Sequence, residues 1–197
     1  NPFPSALPVA NVKAISGAIR PLVYVYDAIR GDYLLVSSTP GVGVARSYVL
    51  PWEAMWVRAL GTSTVSISAP TTPAEEAERA EALQADLGPD GWWMPIEARA
   101  RDRADRCCAV GVTSAGGPIA LEKPPAMPDT VYVAVTSATG ECLSRSVETA
   151  GKGTYEWDLV VTTDIANADV SVSLPDMSRL PKTLGVTLTD VETGKSV

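Results

Sequence analysis

The chain has 197 residues, 46% of them apolar, which is enough to bury a core, and a formal charge of −7 from 16 basic and 23 acidic side chains. That charge divides as +2 over 1–70, −4 over 71–110 and −5 over 111–197, so no stretch gathers the cations that displace counterions from a nucleic acid, and that class is set aside. There is no histidine, which removes the usual general base near neutral pH, the Ser-His and Cys-His nucleophile systems and the commonest transition-metal ligand.

The 16 prolines and 15 glycines are spread along the whole length, and no run of eighteen apolar residues occurs. A chain of short elements and many turns, with no membrane span, is expected. It opens at Asn1 without Met and without the charged, apolar and small-residue succession of a signal peptide, which suggests a mature or excised piece of something longer. Residues 1–8, NPFPSALP, hold three prolines and predict an extended arm or edge segment, because proline cannot donate to a central ladder. Residues 9–19 have room for one short strand. Residues 22–26 and 33–36 are β-branched and aromatic, and 27–32 between them reads as a turn, so a hairpin is expected. Residues 47–60, with Trp52 and Trp56 an even number of positions apart, and 64–68 complete a small all-β unit over 1–70.

At Thr72-Pro73-Ala74-Glu75 the pattern changes to a capping box with proline at the first helical position. A short helical linker over 71–90 is predicted, stopping near Gly88-Pro89, with Ala80, Leu83 and Leu87 as a thin apolar stripe. Strand patterns resume at 92–98, 107–113 and 131–137, with the proline-rich 122–128 as a stiff connector. From 154 to 197 the alternation is clearest: Tyr155, Trp157, Leu159 and Val161, then Val170, Val172 and Leu174, then Leu184, Val186 and Leu188 each form one apolar row. Glu192-Thr193-Gly194-Lys195 reads as a hairpin turn whose returning strand has begun at Ser196 and Val197. The fold class expected is all-β, two β-sandwich or barrel-like modules joined by the linker, with 91–197 a sandwich lacking its last strand or strands.

The segments GWWMPIEARARDRADRCCAVGV, LEKPPAMPDTVYVAV and YEWDLVVTTDIANADVSVSLPDMSRLPKTLGVTLTDVETGK, in that order, resemble the immunoglobulin- or fibronectin-III-like modules found toward the C-terminal ends of large secreted and cell-surface bacterial proteins. The preceding VYDAIRGDYLLV and LPWEAMWVRALGTSTVSI are similar to a small β module that often comes just before them. The resemblance implies a structural or adhesive part in an extracellular setting, with no catalytic residues to carry over. In such modules further strand sequence follows a turn of the DVETGK type.

Several residue sets are candidates for chemistry. Cys107, Cys108 and Cys142 would allow, outside the cell, one bridge from Cys107 or Cys108 to Cys142 with one thiol left over, either buried or crosslinking subunits. Three thiolates have no fourth ligand to close a zinc tetrahedron. Asp164, Asn167 and Asp169 cluster in one loop, a weak calcium candidate against ordinary turn chemistry, because their spacing does not match an EF-hand. Trp52, Trp56, Trp92 and Trp93 offer a stacking platform for sugars or, read more plainly, core and interface packing. Arg30-Gly31-Asp32 is the tripeptide that integrins read and also what a hairpin tip prefers. No acidic pair lies in a motif that fixes a glycosidase spacing, and Gly41-Val42-Gly43 and Gly116-Gly117 lack a phosphate-loop context. No cofactor is expected.

The function expected is therefore non-catalytic: an extracellular structural or assembly element of a bacterial cell surface or filament. Its partners would be itself or other surface proteins, joined by β-strand addition, with Asn1, Pro2, Phe3 and Pro4 as a donor arm and Ser196 and Val197 at the open edge. The alternative is a carbohydrate-binding or accessory module of a larger secreted hydrolase.

Overall fold

The computed structural model describes residues 1–39, 41–69, 87–151 and 153–197. Among them the architecture is all-β, with one 3-10 turn, Val9–Asn11, and no α-helix. The helical linker expected over 71–90 falls outside the described residues except for 87–90, which form no helix.

The first unit holds β1 (Leu7–Pro8), β2 (Val12–Ser16), β3 (Ile19–Asp27), β4 (Asp32–Ser37), β5 (Val44–Arg46), β6 (Tyr48–Val49), β7 (Met55–Ala59) and β8 (Thr64–Ile67). Its main sheet runs β5-β4-β3-β7, and β1-β6 and β2-β8 are two-stranded ribbons. The expected hairpin is present, with Leu22 opposite Ser37 through Asp27 opposite Asp32. Asp27 shapes its tip: the Oδ1 atom accepts the N–H groups of Ile29 and Arg30, and the carbonyl accepts that of Gly31, whose φ of +68° suits glycine.

Alternation along this hairpin feeds two cores. Val23, Val25 and Val36 join Leu7, Val9, Val12 and Val49 inside the first unit. Tyr24, Tyr33 and Leu35 point the other way and pack with Val44 against Cys107, Leu121 and Met127 of the second unit. A hairpin exposed on neither face has no polar row, and that explains why 22–26 and 33–36 read as nearly continuous apolar runs.

The second unit holds β9 (Trp92–Ala100), β10 (Arg103–Thr113), β11 (Ile119–Glu122), β12 (Val131–Thr136), β13 (Cys142–Thr149), β14 (Leu159–Thr163) and β15 (Val170–Ser173). They form one mixed sheet in the order β14-β12-β13-β10-β9-β15, with β11 added to β13. β13 runs parallel to β10, Ala109 opposite Arg145 through Thr113 opposite Thr149. Strands β14 and β15 sit at opposite ends of this order yet are consecutive in the chain, so the sheet curls into a half-barrel. Trp92, Met94, Ile96, Ala98 and Ala100 of β9 face its interior with Cys108, Val110, Val112, Val131, Val133, Val135 and Leu143.

The C-terminal rows were expected as three strands. The first begins only at Leu159, although Tyr155 and Trp157 still pack on the core, and Trp92 meets both rings edge-on at centroid distances of 6.2 and 6.0 Å. The third, over 184–188, joins no sheet; Leu180 and Leu184 instead lie against the core from irregular chain. Their apolar rows are used for burial without a ladder partner.

Gly111 lies opposite Trp93 where β9 and β10 approach closely, and a Cβ there would stand 2.4 Å from the Trp92 carbonyl oxygen. Gly111→Ala is expected to cost about 1–3 kcal/mol by overpacking against backbone that cannot yield. A fall in the urea midpoint at unchanged slope would register it.

Candidate functional site

The buried polar groups of this chain converge where the two units meet. The pairing of β9 with β10 slips between Asp105 and Cys108, a bulge that frees main-chain N–H groups from the ladder. Each is taken by a carboxylate: Cys107 N donates to Asp105 Oδ1 at 3.0 Å, and Arg106 N donates to Asp32 Oδ2 at 2.9 Å.

Asp105 has a second task. β10 pairs with β13 only from Ala109 onward, and β12 pairs with β13 only at Val135 and Thr136. Val133 therefore presents its N–H and C=O to a place where no strand runs. Asp105 Oδ2 accepts that N–H at 2.7 Å, and Lys123 Nζ donates to that carbonyl at 2.7 Å. The same ammonium donates to Asp105 Oδ1 and Oδ2 at 2.7 and 2.5 Å, which uses all three of its hydrogens. The Lys123 side chain has no solvent exposure, and its ammonium stands 4.7 Å above the Tyr132 ring.

Around this pair the first unit is tied on by long-range bonds. Arg145 Nε donates to Val42 O at 3.0 Å, Nη1 to Ser144 O at 2.7 Å and Nη2 to Gly43 O at 3.4 Å. Gly43 is required here, since its φ is +66° and a Cβ would stand 2.5 Å from Nη2. Tyr24 hydroxyl donates to Ser144 Oγ at 2.5 Å, and that hydroxyl donates on to Leu121 O at 3.2 Å. Tyr33 hydroxyl reaches Pro125 O at 3.3 Å, and Arg58 pairs with Glu122 at the rim. Burial drives the Tyr24 hydroxyl well above the ordinary phenol range and pushes the Cys108 thiol up to about 11. The Asp32 carboxyl is pushed up to about 6, first by burial and then by the neighbouring Asp105 charge.

Of these residues, sequence patterns picked out Asp32, Gly43, Cys107 and Cys108, each for other chemistry, and passed over Asp105, Lys123 and Arg145. Those three stand beside polar or oppositely charged neighbours in the chain, Asp105 before Arg106, Lys123 after Glu122 and Arg145 between two serines, so no local pattern marks them as buried.

The candidates read from the sequence lie elsewhere or are used otherwise. The expected disulfide is absent, and all three cysteines are free thiols. Cys107 faces the joint and Cys108 the half-barrel interior. Cys142 is held against Thr136 of β12, with its carbonyl accepting Lys123 N at 2.8 Å, in the part of β13 that does not pair with β10. The N-terminal arm is not free: Asn1 Nδ2 donates to Val49 O, Trp52 N donates to Asn1 O at 2.9 Å, Phe3 packs on the first core, and Pro2 and Pro4 run between these anchors. Of Arg30-Gly31-Asp32, Arg30 is exposed but Asp32 is buried in the joint, so the tripeptide is not displayed as a ligand.

In the acidic loop, Asp164 accepts Asp129 N and Thr130 N, which hold its carboxyl below the usual range, while Arg101 Nη2 donates to the Ala166 and Asn167 carbonyls. A guanidinium on those carbonyls opposes a cation there, and Asp164 and Asp169 join no metal-binding cluster among the described residues. The nearby hollow of about 330 Å³ beside Met127, Thr130 and Asp164 has its Thr130 and Thr163 hydroxyls bonded to Met127 O and Thr130 O. The four tryptophans share no face: Trp92 is core, Trp93 lies under the Arg179 guanidinium at 5.3 Å, Trp56 is half-exposed in β7 opposite Tyr24, and Trp52 stands 81% exposed in a turn at φ +66°. Ser196 and Val197 do form the returning strand of a hairpin, with Leu188 and Val197 exchanging both main-chain bonds at 3.0 Å.

No protein family, curated protein or solved structure matches this chain.

Replacing Lys123 with Met leaves Asp105 buried without its cation and Val133 O without its donor, so a loss of about 3–5 kcal/mol is expected. In urea unfolding, K123M paired with D105L should cost less than the two single changes added, because no charge is then left alone. Thiol labelling with intact-mass readout should mark only Cys142 readily in the native chain, since burial pushes both other thiols up and shields them, and all three in urea without reductant.

Proposed function

We propose that this chain is a non-catalytic structural element of a bacterial cell surface or filament, extended by β-strand addition at the hairpin spanning 188–197. The observation that carries this reading is that, among the described residues, the hairpin makes its main-chain bonds only within itself. Leu188 and Val197 form a hydrogen-bonded pair, Thr189 bridges Ser196, and Asp190 N donates to Lys195 O at 2.8 Å. In an antiparallel ladder the residues next to such a pair turn their N–H and C=O outward, so Thr189 and Ser196 offer main-chain groups to a further strand on either side. The turn is firmly built, with Asp190 accepting Glu192 N, Thr193 N and the Thr193 hydroxyl. Val191 and Val197 are each 91% exposed, apolar surface of the kind an added strand covers.

The resemblance to extracellular immunoglobulin-like modules supports the same reading and its cell-surface location. So does the joint, which uses its charged and hydroxyl groups to hold two β units at one fixed relation, as a load-bearing or spacing element requires. The donor is not the arm of residues 1–4, which is bonded within its own unit, so the added strand comes from another segment of a second copy or from another surface protein.

A second reading, a carbohydrate-binding or accessory module of a larger secreted hydrolase, draws on Trp52, whose indole stands free at the surface. Glycan-array signal abolished by Trp52→Ala would favour it over strand addition.

Proline at 189 or 196 removes an outward N–H while leaving the inner bonds of the hairpin in place. Electron microscopy and sedimentation of the purified chain should show ordered assemblies, and T189P or S196P should reduce them to folded monomers. Monomers at every concentration of the unaltered chain, or assemblies unchanged in both variants, would sink strand addition at this edge.

A further inference from the structure

The joint contains a charge imbalance that its geometry does not resolve. A small, partly open pocket of about 10 Å³, roughly the room of one water, is lined by Asp32 of the first unit and Asp105 of the second, with Tyr26, Tyr33, Thr130 and Tyr132 around them. Both carboxylates are nearly inaccessible, at 3% and 4% exposure. The cation beside them is Lys123, whose three hydrogens go to Asp105 and Val133 O, so none reaches Asp32. The other cations facing this region are committed elsewhere: the Arg145 guanidinium to the carbonyls of Val42, Gly43 and Ser144, and the Arg106 guanidinium to Glu97. Arg103 approaches Gly31 at the hairpin tip, and Asp27 turns its carboxylate into its own turn. Glu122 is held by Arg58, and Cys107 is a neutral buried thiol. Asp32 is left with two main-chain donors, Tyr33 N at 2.7 Å and Arg106 N at 2.9 Å.

We propose that this joint is a proton-operated clasp, in which Asp32, buried in one small pocket with Asp105 and its one cation, takes up a single proton in mildly acidic surroundings and thereby holds the two β units more firmly than the ionised joint does. Asp105 is held by the Lys123 ammonium and by the Val133 and Cys107 amides, none of which is shared with Asp32. Asp32 binds the proton because its own charge is opposed by burial and by the neighbouring Asp105 charge together.

The sign follows from linkage. A carboxyl raised to about 6 in the folded joint, against about 4 in an unfolded chain, contributes stability that is fully present below pH 4 and lost as pH rises through 6, after which the contribution is constant. Across that window the unfolding equilibrium from this group alone changes by about tenfold per pH unit, about 100-fold in all.

Carboxyl-carbon NMR titration of the intact chain needs no substitution and should place the Asp32 midpoint near 6, above the exposed Asp164, Asp176 and Asp190. Hydrogen exchange, corrected for the intrinsic pH dependence of amide exchange, should show the Arg106 and Tyr33 amides about tenfold better protected at pH 5 than at pH 7. In D32N the difference in urea midpoint between pH 4 and pH 6 should shrink relative to the unaltered chain, whatever the variant's overall stability. An Asp32 midpoint below 5, or protection at these two amides that does not change with pH, overturns the proposal, and both are read without the variant if D32N fails to fold.

Discussion

Val133 faces a gap between β12 and β10 with both of its main-chain groups, and two side chains, Asp105 and Lys123, close it. A strand edge buried without partners would cost several kcal/mol for its N–H and C=O together. Here a carboxylate supplies the acceptor and an ammonium the donor that a neighbouring strand would have supplied. The two charges satisfy each other while doing so. The gap opens because neither β10 before Ala109 nor β12 before Val135 pairs with β13, and β10 there turns its other face, through Cys107, toward the first unit. The bulge that makes this turn frees two N–H groups, and Asp32 and Asp105 take one each, so the departure of one strand and the docking of the other unit are solved by the same cluster.

This arrangement also accounts for the distribution of polar chemistry. Charged and hydroxyl groups inside the molecule are directed at backbone atoms: Arg145 at three carbonyls, Ser144 at Leu121 O, Asp105 at two amides. Groups so engaged hold loops and strands in register. The freely exposed features are of another kind, a hairpin edge at 188–197 and the indole of Trp52, both apolar surface carried on tightly bonded turns.

The sequence was most legible where a pattern is local. β-Branched and aromatic runs around a turn predicted the β3–β4 hairpin, strand patterns predicted β9 and β12, and period-two alternation put Tyr155 and Trp157 in one row, because the alternation that shows in the letters sorts side chains to the two faces of a strand. It misled where the same pattern is used without a ladder, as at 184–188, and where sequence proximity stood in for spatial proximity. Cys107 and Cys108 suggested a shared partner, yet adjacent strand residues face opposite sides, and their neighbourhoods are different cores. The proline-rich residues 1–8 read as an extended arm or edge segment, and where they attach was hidden because the bonds of Asn1 run to Val49, Trp52 and Glu53, about fifty residues away. The joint was least legible of all: Asp32 meets Arg106 across 74 residues and Arg145 meets Val42 across 103. No window of local periodicity spans such a distance.

The two-sided burial of the β3–β4 hairpin bears on how such a chain can be inherited. A bead in a string of modules can be copied, lost or exchanged because each bead closes its own core. Here Tyr24, Tyr33 and Leu35 find their cover in Cys107, Leu121 and Met127 of the other unit, so a cut between the units exposes aromatic surface and the Asp32 carboxylate on one side and takes two of its three carbonyl partners from the Arg145 guanidinium on the other. Gene shuffling that moved either half alone would produce a sticky, charge-strained fragment. The pair is expected to travel through evolution as one block, with insertions accumulating at the ends and in the surface turns.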